Sequence, residues 1–244
     1  MNTQTEHQSV VKISPRLKLI ASFVPEGARI ADIGTDHGYV PVYLAQTGRI
    51  QSALAMDIGK GPLMRAKEHI DEYKPEGIPI ETRLSDGLKE LKPGEADTVI
   101  IAGMGGELEI RILEEGRHVR DSIRTWVLSP QSDLEKVRRY LEQEALKIAE
   151  EAMICDEGKY YTVMKVVNGK MHCKTVGDYR YGPCLLRKKD PVLREYLQKE
   201  RRRVEGILTQ LEKAAGHKTE GMEQAAKSLR EELTIIEEAE HEMQ

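Results

Sequence analysis

The sequence predicts an α/β protein: a mainly parallel sheet covered by helices, followed by a separate helical hairpin. Three observations carry that prediction. Short apolar runs alternate with amphipathic ones from residue 28 to residue 167. Two consecutive runs, 146–158 and 159–167, have no helix between them. From residue 188 onward the texture changes, with 24 charged side chains among the 57 residues 188–244. Strands that alternate with helices form βαβ units, whose strands run parallel.

The apolar runs are ARIADIG (28–34), SALAMD (52–57), IPIETRL (78–84), DTVIIAG (97–103) and WVLSP (126–130). Each is short and β-branched or apolar on both faces, which fits a strand buried on two sides. The periodic segments 38–46, 60–73, 105–117 and 133–145 supply the helices between them. LKIAEEAMICDEG then leads through Asp156-Glu157-Gly158 into KYYTVMKVV, which predicts an antiparallel hairpin and a total of seven strands. Trp126 opens a buried strand and belongs in the core. Tyr160 and Tyr161 are neighbours on a strand and face opposite sides, so at most one of them can face a site beside it. His69 and His118 fall on helix faces expected to be solvated.

In the C-terminal part, Leu193, Leu197, Val204, Ile207, Leu208 and Leu211 recur at three- and four-residue steps. Met222, Ala225, Leu229, Leu233, Ile236 and Ala239 repeat the pattern after Gly216. Two amphipathic helices folded back on each other satisfy both series, with Asp190-Pro191 starting the first. The expected division is therefore a sheet domain over 1–168 and a helical domain over 169–244. Residues 187–203 carry eight basic and three acidic side chains, whereas 220–244 carry two basic and eight acidic ones. Opposite charges on facing helices can set their pairing. A basic helix can also meet a polyanion, and both readings stay open at this point.

Whole-chain composition narrows the functional classes. With 37 Lys+Arg against 41 Asp+Glu and a net charge of −4, a uniformly basic nucleic-acid binder is excluded. No apolar run approaches the roughly 18 residues of a membrane span. The opening MNTQTEHQSVVKISPR has no apolar segment of secretory type. Cys155, Cys173 and Cys184 make an odd count without a CxxC pair, so neither a disulfide framework nor a zinc ribbon is expected. The expectation is a cytoplasmic protein with no metal and no membrane contact.

The motifs lie at strand ends. The first strand runs into Asp32-Ile33-Gly34-Thr35-Asp36-His37-Gly38. A glycine straight after a buried strand permits a tight turn and brings backbone N–H groups close to a ligand. Twenty-three residues beyond Gly34 the second strand ends in Asp57, placed to accept the hydroxyls of a ribose. Ser85-Asp86-Gly87 follows the third strand, where a carboxylate can meet the amino group of an adenine, and Gly103-Met104-Gly105-Gly106 follows the fourth. Any one of these loops is an ordinary turn, but four at successive carboxyl ends mark a ligand crevice. A dinucleotide site requires a second glycine where Asp36 stands, and a carboxylate there repels a pyrophosphate. The same carboxylate suits a cofactor with a positive sulfur and an α-amino group, namely S-adenosylmethionine.

Beyond single motifs, the chain resembles the TrmK family of bacterial tRNA (adenine(22)-N1)-methyltransferases nearly end to end. The resemblance rests on RLKLIASFVPEGARIADIGTDHGYVPVYL (16–44), AMDIGKGPLMRA (55–66), LSDGL (84–88), VIIAGMGGELEIRIL (99–113), LSPQSD (128–133) and YGPCLLRKKDPVL (181–193). DIGTDHGYVP and AGMGG are its most specific parts. It implies a class I, Rossmann-like sheet of strand order 3-2-1-4-5-7-6, S-adenosylmethionine as cofactor, and methylation of N1 of adenosine 22 in the tRNA D-arm. Carried onto this chain, Asp32, Gly34, Thr35, Asp36 and His37 would line the methionine side. Asp57 and Ile58 would hold the ribose, Asp86 and Gly87 the adenine, and Gly103 and Met104 would close the pocket near the methyl. The Asn-Pro-Pro-Tyr motif of adenine N6 enzymes is absent and AGMGG occupies its place, which fits attack by N1.

His37 and Tyr39 flank Gly38 at the cofactor loop and are the candidates for holding the target base; the other reading has Tyr39 packing under the first helix and His37 capping it. RNA contact must come from local basic patches: Lys12, Arg16 and Lys18 near the N-terminus, then Arg180, Arg187, Lys188, Lys189, Arg194, Arg201, Arg202 and Arg203. Truncation after about Gly177 is expected to spare cofactor binding and remove tRNA methylation. Two rival readings are a small-molecule methyltransferase whose hairpin serves dimerisation, and a non-catalytic cofactor-binding interaction module. An intramolecular hairpin makes a monomer the simpler assembly.

Overall fold

The computed structural model describes residues 10–73, 77–213 and 220–244. Its seven strands are β1 (Ala28–Ile33), β2 (Ile50–Asp57), β3 (Ile80–Leu84), β4 (Thr98–Ala102), β5 (Thr125–Ser129), β6 (Leu146–Asp156) and β7 (Lys159–Asn168). They form one sheet in the order β3-β2-β1-β4-β5-β7-β6, the order implied by the family resemblance. β1 to β5 pair in parallel, and β7 runs antiparallel to both β5 and β6. The chain steps outward from β1 through β2 to β3 and then crosses back to β4. Between β1 and β4 the connections therefore leave in opposite directions, and their carboxyl ends open a crevice.

Both faces of the sheet are covered. Val99, Ile101 and Leu128 face one apolar cluster, while Ile100 and Val127 face the other, as the two-residue period of a strand demands. Trp126 is buried in the first cluster. β6 and β7 turn through Glu157 and Gly158 at φ of 49° and 77°, the pair of left-handed residues that a two-residue hairpin requires.

The helices flanking the sheet are α1 (Pro15–Ser22), α2 (Tyr39–Gln46), α3 (Lys60–Tyr73), α4 (Gly106–Glu115) and α5 (Leu134–Gln143). α1 is an addition to the expected elements. The Ser14 side chain accepts the Leu17 N–H and Pro15 occupies its first turn. Two short helices, α6 (Val176–Tyr181) and α7 (Pro183–Lys188), were also not expected; Thr175 and Asp178 close α6 with a capping box.

α8 (Pro191–Lys213) and α9 (Glu220–Glu242) lie antiparallel, their contacts running from Arg194 with Met243 to Arg203 with Glu232. The turn expected at Gly216 lies outside the described residues. Leu193, Leu197, Val204 and Leu208 pack on Ile236, Ala239 and Met243. Arg201 meets Glu237 at 2.8 Å and Glu240 at 2.7 Å, and Arg203 meets Glu232 at 2.7 Å. Opposite charges on the two helices thus meet across the hairpin.

The junction is tied by a buried ion pair. Arg138 on α5 has no exposed surface, and its Nε donates to Glu151 of β6 at 3.0 Å. The same guanidinium donates to the carbonyls of Tyr179 and Arg180, and Glu151 accepts the Cys184 N–H at 3.0 Å. At Gly182 (φ 104°) a Cβ would lie 2.6 Å from Glu151, so glycine is required where α6 passes into α7. Residues 179–184 are therefore tied to α5 and β6 of the sheet domain, while Leu185 and Leu186 pack with the hairpin.

Candidate active site

The crevice at the ends of β1, β2 and β4 holds a cavity of about 490 Å³. Asp32, Gly34, Asp36, His37, Tyr39, Asp57, Gly103 and Met104 all line it. Its floor is built by the turn after β1. The N–H groups of Gly34 and Thr35 both donate to Met56 O, at 2.8 and 3.0 Å, which ties the loop to β2. Gly34 has φ 73°, and a Cβ there would lie 2.1 Å from the Met104 methyl. The left-handed backbone of this turn favours glycine, and the Met104 side chain from the loop after β4 lies directly over it.

Three carboxyl groups line the cavity. Asp32 is 8% exposed; burial pushes its carboxyl up to about 6, Asp57 adds to the rise, and the Thr35 hydroxyl opposes it. Asp57 accepts the Gly59 N–H on Oδ1 at 2.7 Å. Asp36 stands at the mouth, 3.3 Å from both His37 Nε2 and Arg65.

His37 is held at φ 62°, a conformation that a non-glycine residue adopts at a cost of about 1–3 kcal/mol. A ring stack maintains it. His37 lies 5.6 Å from Tyr39 and 5.4 Å from His69, and Tyr39 lies 4.9 Å from His69. His69 Nδ1 is also 2.9 Å from the His37 carbonyl. The expectation of a solvated His69 is corrected here, because α3 brings this ring against the loop after β1. His118 is exposed, with Nε2 3.0 Å from Leu91 O.

Four expected cofactor residues stand outside the cavity wall. Thr35 is buried beside Asp32, and Ile58 is 70% exposed past the end of β2. Asp86 pairs with Lys89 at 2.5 Å and faces Arg111 at 3.7 Å; these cations hold its carboxyl below the usual range, the Lys89 hydrogen bond contributing most. Gly87 packs on α4, where a Cβ would lie 3.1 Å from Ile112.

The wall also contains residues that sequence reasoning missed or placed elsewhere. Arg16, expected on the RNA surface, lines the cavity with its guanidinium 4.5 Å over the Tyr161 ring. Tyr160 turns the other way and donates to Glu195 at 2.7 Å, as strand alternation requires. Gln131 closes the side toward β5, its N–H donating to Met104 O at 2.8 Å. Outside the wall, Glu109 on α4 is fully buried and its carboxylate oxygens have no hydrogen-bond partner; burial pushes its carboxyl well above the usual range against the pull of Arg16.

Of the other basic candidates, Lys18, Lys189 and Arg202 are exposed. Lys188 faces Glu150 at 3.4 Å, Arg187 meets Cys184 Sγ at 3.3 Å, and Arg194 donates to Met243 O at 2.8 Å. Arg201 and Arg203, both partly exposed, are engaged by acids of α9 and so also serve the pairing of the hairpin. Among the described residues there is no metal-binding cluster, and no helix is long and apolar enough to cross a membrane.

The cavity fits S-adenosylmethionine. Its carboxyl groups suit a ligand that is positive at nitrogen and sulfur, Asp57 has an oxygen beyond its Gly59 bond for a ribose hydroxyl, and Gly34 leaves room for close backbone approach. A family profile described as a methyltransferase domain matches residues 13–164. The tRNA (adenine(22)-N(1))-methyltransferase of Bacillus subtilis is 32% identical over 93% of this chain and 97% of its own. The crystal structure of the B. subtilis m1A22 tRNA methyltransferase TrmK superposes with a TM-score of 0.79 at 30% identity, covering 93% of this chain and 98% of that one. A Streptococcus pneumoniae candidate tRNA (m1A22) methyltransferase, solved in complex with S-adenosyl-L-methionine, superposes with a TM-score of 0.82 at 31% identity, over 93% and 99% of the two chains. Likeness at this level extends past the sheet into the helical hairpin, and the chain belongs to the tRNA (adenine(22)-N(1))-methyltransferase family.

Proposed function

We propose that this chain methylates N1 of adenosine 22 in the tRNA D-arm, acting in the cytoplasm as a monomer with S-adenosylmethionine as cofactor. The observation that carries the reading is the carboxylate-lined crevice at the β1/β4 switch point, in a chain similar along its length to m1A22 methyltransferases. Bound S-adenosylmethionine supplies an electrophilic methyl group on a positively charged sulfur. Asp57 takes the ribose hydroxyls, Asp32 and Asp36 face the methionine ammonium, and Gly103 and Met104 cover the side from which the methyl leaves. Adenine N1 carries an unprotonated lone pair at neutral pH, so no residue has to remove a proton before attack. The residues around the cavity act by position: alignment of N1 with the scissile bond supplies up to roughly 7–11 kcal/mol of the barrier reduction.

His37 and Tyr39 present aromatic faces at the mouth and hold the target base. Stacking is worth about 1–3 kcal/mol per base. Tyr39→Ala is therefore expected to lower kcat/KM for tRNA by about 5- to 150-fold with cofactor affinity retained, and His37→Ala, at the methionine side of the cavity, to lower both. Wild-type rates in both variants would remove this assignment.

The hairpin α8–α9 is the substrate platform, with the domain boundary after Asn168 and α6–α7 as its base. Removal of residues 190–244 is expected to leave cofactor binding within a few-fold of normal and to abolish methylation of tRNA. A shortened chain with full tRNA activity would show that the hairpin has another role. Tritiated methyl transfer to an unmodified tRNA transcript tests the proposed function: incorporation that falls as salt rises is the expected result.

A further inference from the structure

We propose that the cleft between the sheet domain and the hairpin is a second nucleobase subsite, which receives another unpaired base of the RNA whose adenine occupies the cofactor cavity. The proposal rests on the methyltransferase reading above and extends it to a cleft outside the cofactor cavity. The cleft is a cavity of about 350 Å³, within the range of small-ligand sites. Its walls come from both domains: Tyr160 from β7, Arg180 and Tyr181 from α6, and Tyr196 and Glu200 from α8.

Its composition departs from the rest of the chain. Aromatic residues are only 5% of the sequence, with nine tyrosines in all, yet three tyrosines meet in this one cleft. All three are half-buried and line the cleft. Tyr160 and Tyr196 are 5.1 Å apart at 61°, and the Tyr160 hydroxyl is engaged by Glu195. Proteins hold splayed RNA bases on such rings. Charge around the cleft is mixed: Glu135, Glu200 and Glu232 line it and Arg180 faces Glu135 at 3.5 Å, while Lys199, 4.9 Å from the Tyr160 ring, is the cation beside it that can meet a backbone phosphate. Glu200 has a carboxylate oxygen beyond its Arg203 pair for a base amino group.

Continuity with the cofactor cavity supplies the second argument. Gln131 lines both cavities, and it also lines a third of about 360 Å³ bounded by Tyr160, Tyr161 and Tyr196. The bond from its N–H to Met104 O fixes this shared wall to the methyl-transfer loop. Gln131 is therefore a wall common to the cofactor cavity and the cleft, which places the cleft beside the methyl-transfer loop.

The test uses the full chain, saturating S-adenosylmethionine and an unmodified tRNA transcript. Tyr160→Ala is expected to raise KM for tRNA by about 5- to 150-fold, the range of a lost stacking partner. kcat at saturating tRNA and the affinity for S-adenosylhomocysteine should stay within about twofold, and Tyr160→Phe should restore KM. Tyr196→Phe serves as a second variant that keeps the hairpin packed; it should leave KM near wild type. In parallel, 2-aminopurine placed singly along the D-arm should show one position, other than 22, whose fluorescence is quenched by wild type and not by Tyr160→Ala. An unchanged KM, or quenching indifferent to Tyr160 at every position, overturns the subsite. Tyr160-dependent quenching in a protein that methylates no tRNA would uphold the subsite and sink the methylation reading, so the two failures are distinguishable.

Discussion

Asp32→Asn is expected to cut cofactor affinity by about 30-fold or more and, in the free protein, to raise stability above pH 6. Both effects follow from the burial of one carboxyl group. Asp32 has its folded-state value pushed up to about 6 from 3.8, mainly by desolvation. The unfolded chain therefore ionises first as pH rises. Stability linked to Asp32 is complete below about pH 4, declines between about 4 and 6, and stays low above 6; a shift of this size corresponds to about 3 kcal/mol. Asparagine carries no charge and escapes that loss. The same desolvated charge gains strongly from a cationic ligand, and loss of a buried charge partner typically costs 2–5 kcal/mol in binding. Calorimetric titration with S-adenosylmethionine at pH 5 and pH 8, beside urea unfolding without cofactor, measures both. Affinity that rises through pH 6 in wild type and is weak and flat in the variant is the expected pattern. A variant that binds as tightly as wild type would remove Asp32 from the site.

Glu151→Ala is expected to destabilise the whole protein by about 3–5 kcal/mol, because it leaves the Arg138 guanidinium buried and uncompensated. For a chain of this size that is a fall in melting temperature of about 10 °C or more. The loss spreads further than one ion pair, since Glu151 also holds the Cys184 N–H and Arg138 holds the carbonyls of Tyr179 and Arg180. These bonds seat α6 and α7, from which the hairpin projects. At a temperature where the variant stays folded, tRNA methylation should fall more than cofactor affinity. Arg138→Met combined with Glu151→Leu should recover much of the stability, as the desolvation of both charges is removed with them. If Glu151→Ala melted like wild type, the junction would owe its order to other contacts.

The sheet was legible because strands buried on two faces leave short, mostly apolar runs, and ARIADI and TVIIA match their strands closely. Strand order was another matter: periodicity indicates strands but not which neighbour each one takes, and the order followed from the family resemblance. α6 and α7 are six residues each, too short for a helical period to register. In the site, Asp32, Gly34 and Asp57 were legible because each sits at the end of a recognisable strand. Arg16 and Gln131 were not, because they reach the cavity from α1 and from the loop after β5, and only the folded chain brings them over it. His69 was misread for the same reason: helical spacing gives its face on α3, while the loop that covers that face comes from 32 residues earlier. Charge segregation in the hairpin was visible in composition, but only the 2.7–2.8 Å contacts of Arg201 and Arg203 show those arginines meeting acids of α9.

The most direct measurement is methyl transfer to two tRNA transcripts, one unmodified and one with adenosine 22 replaced by guanosine, followed by mapping of the modified nucleotide. The account predicts 1-methyladenosine at position 22 of the first and no incorporation into the second. Equal incorporation into both transcripts, or a methyl group at any other position or atom, would contradict it.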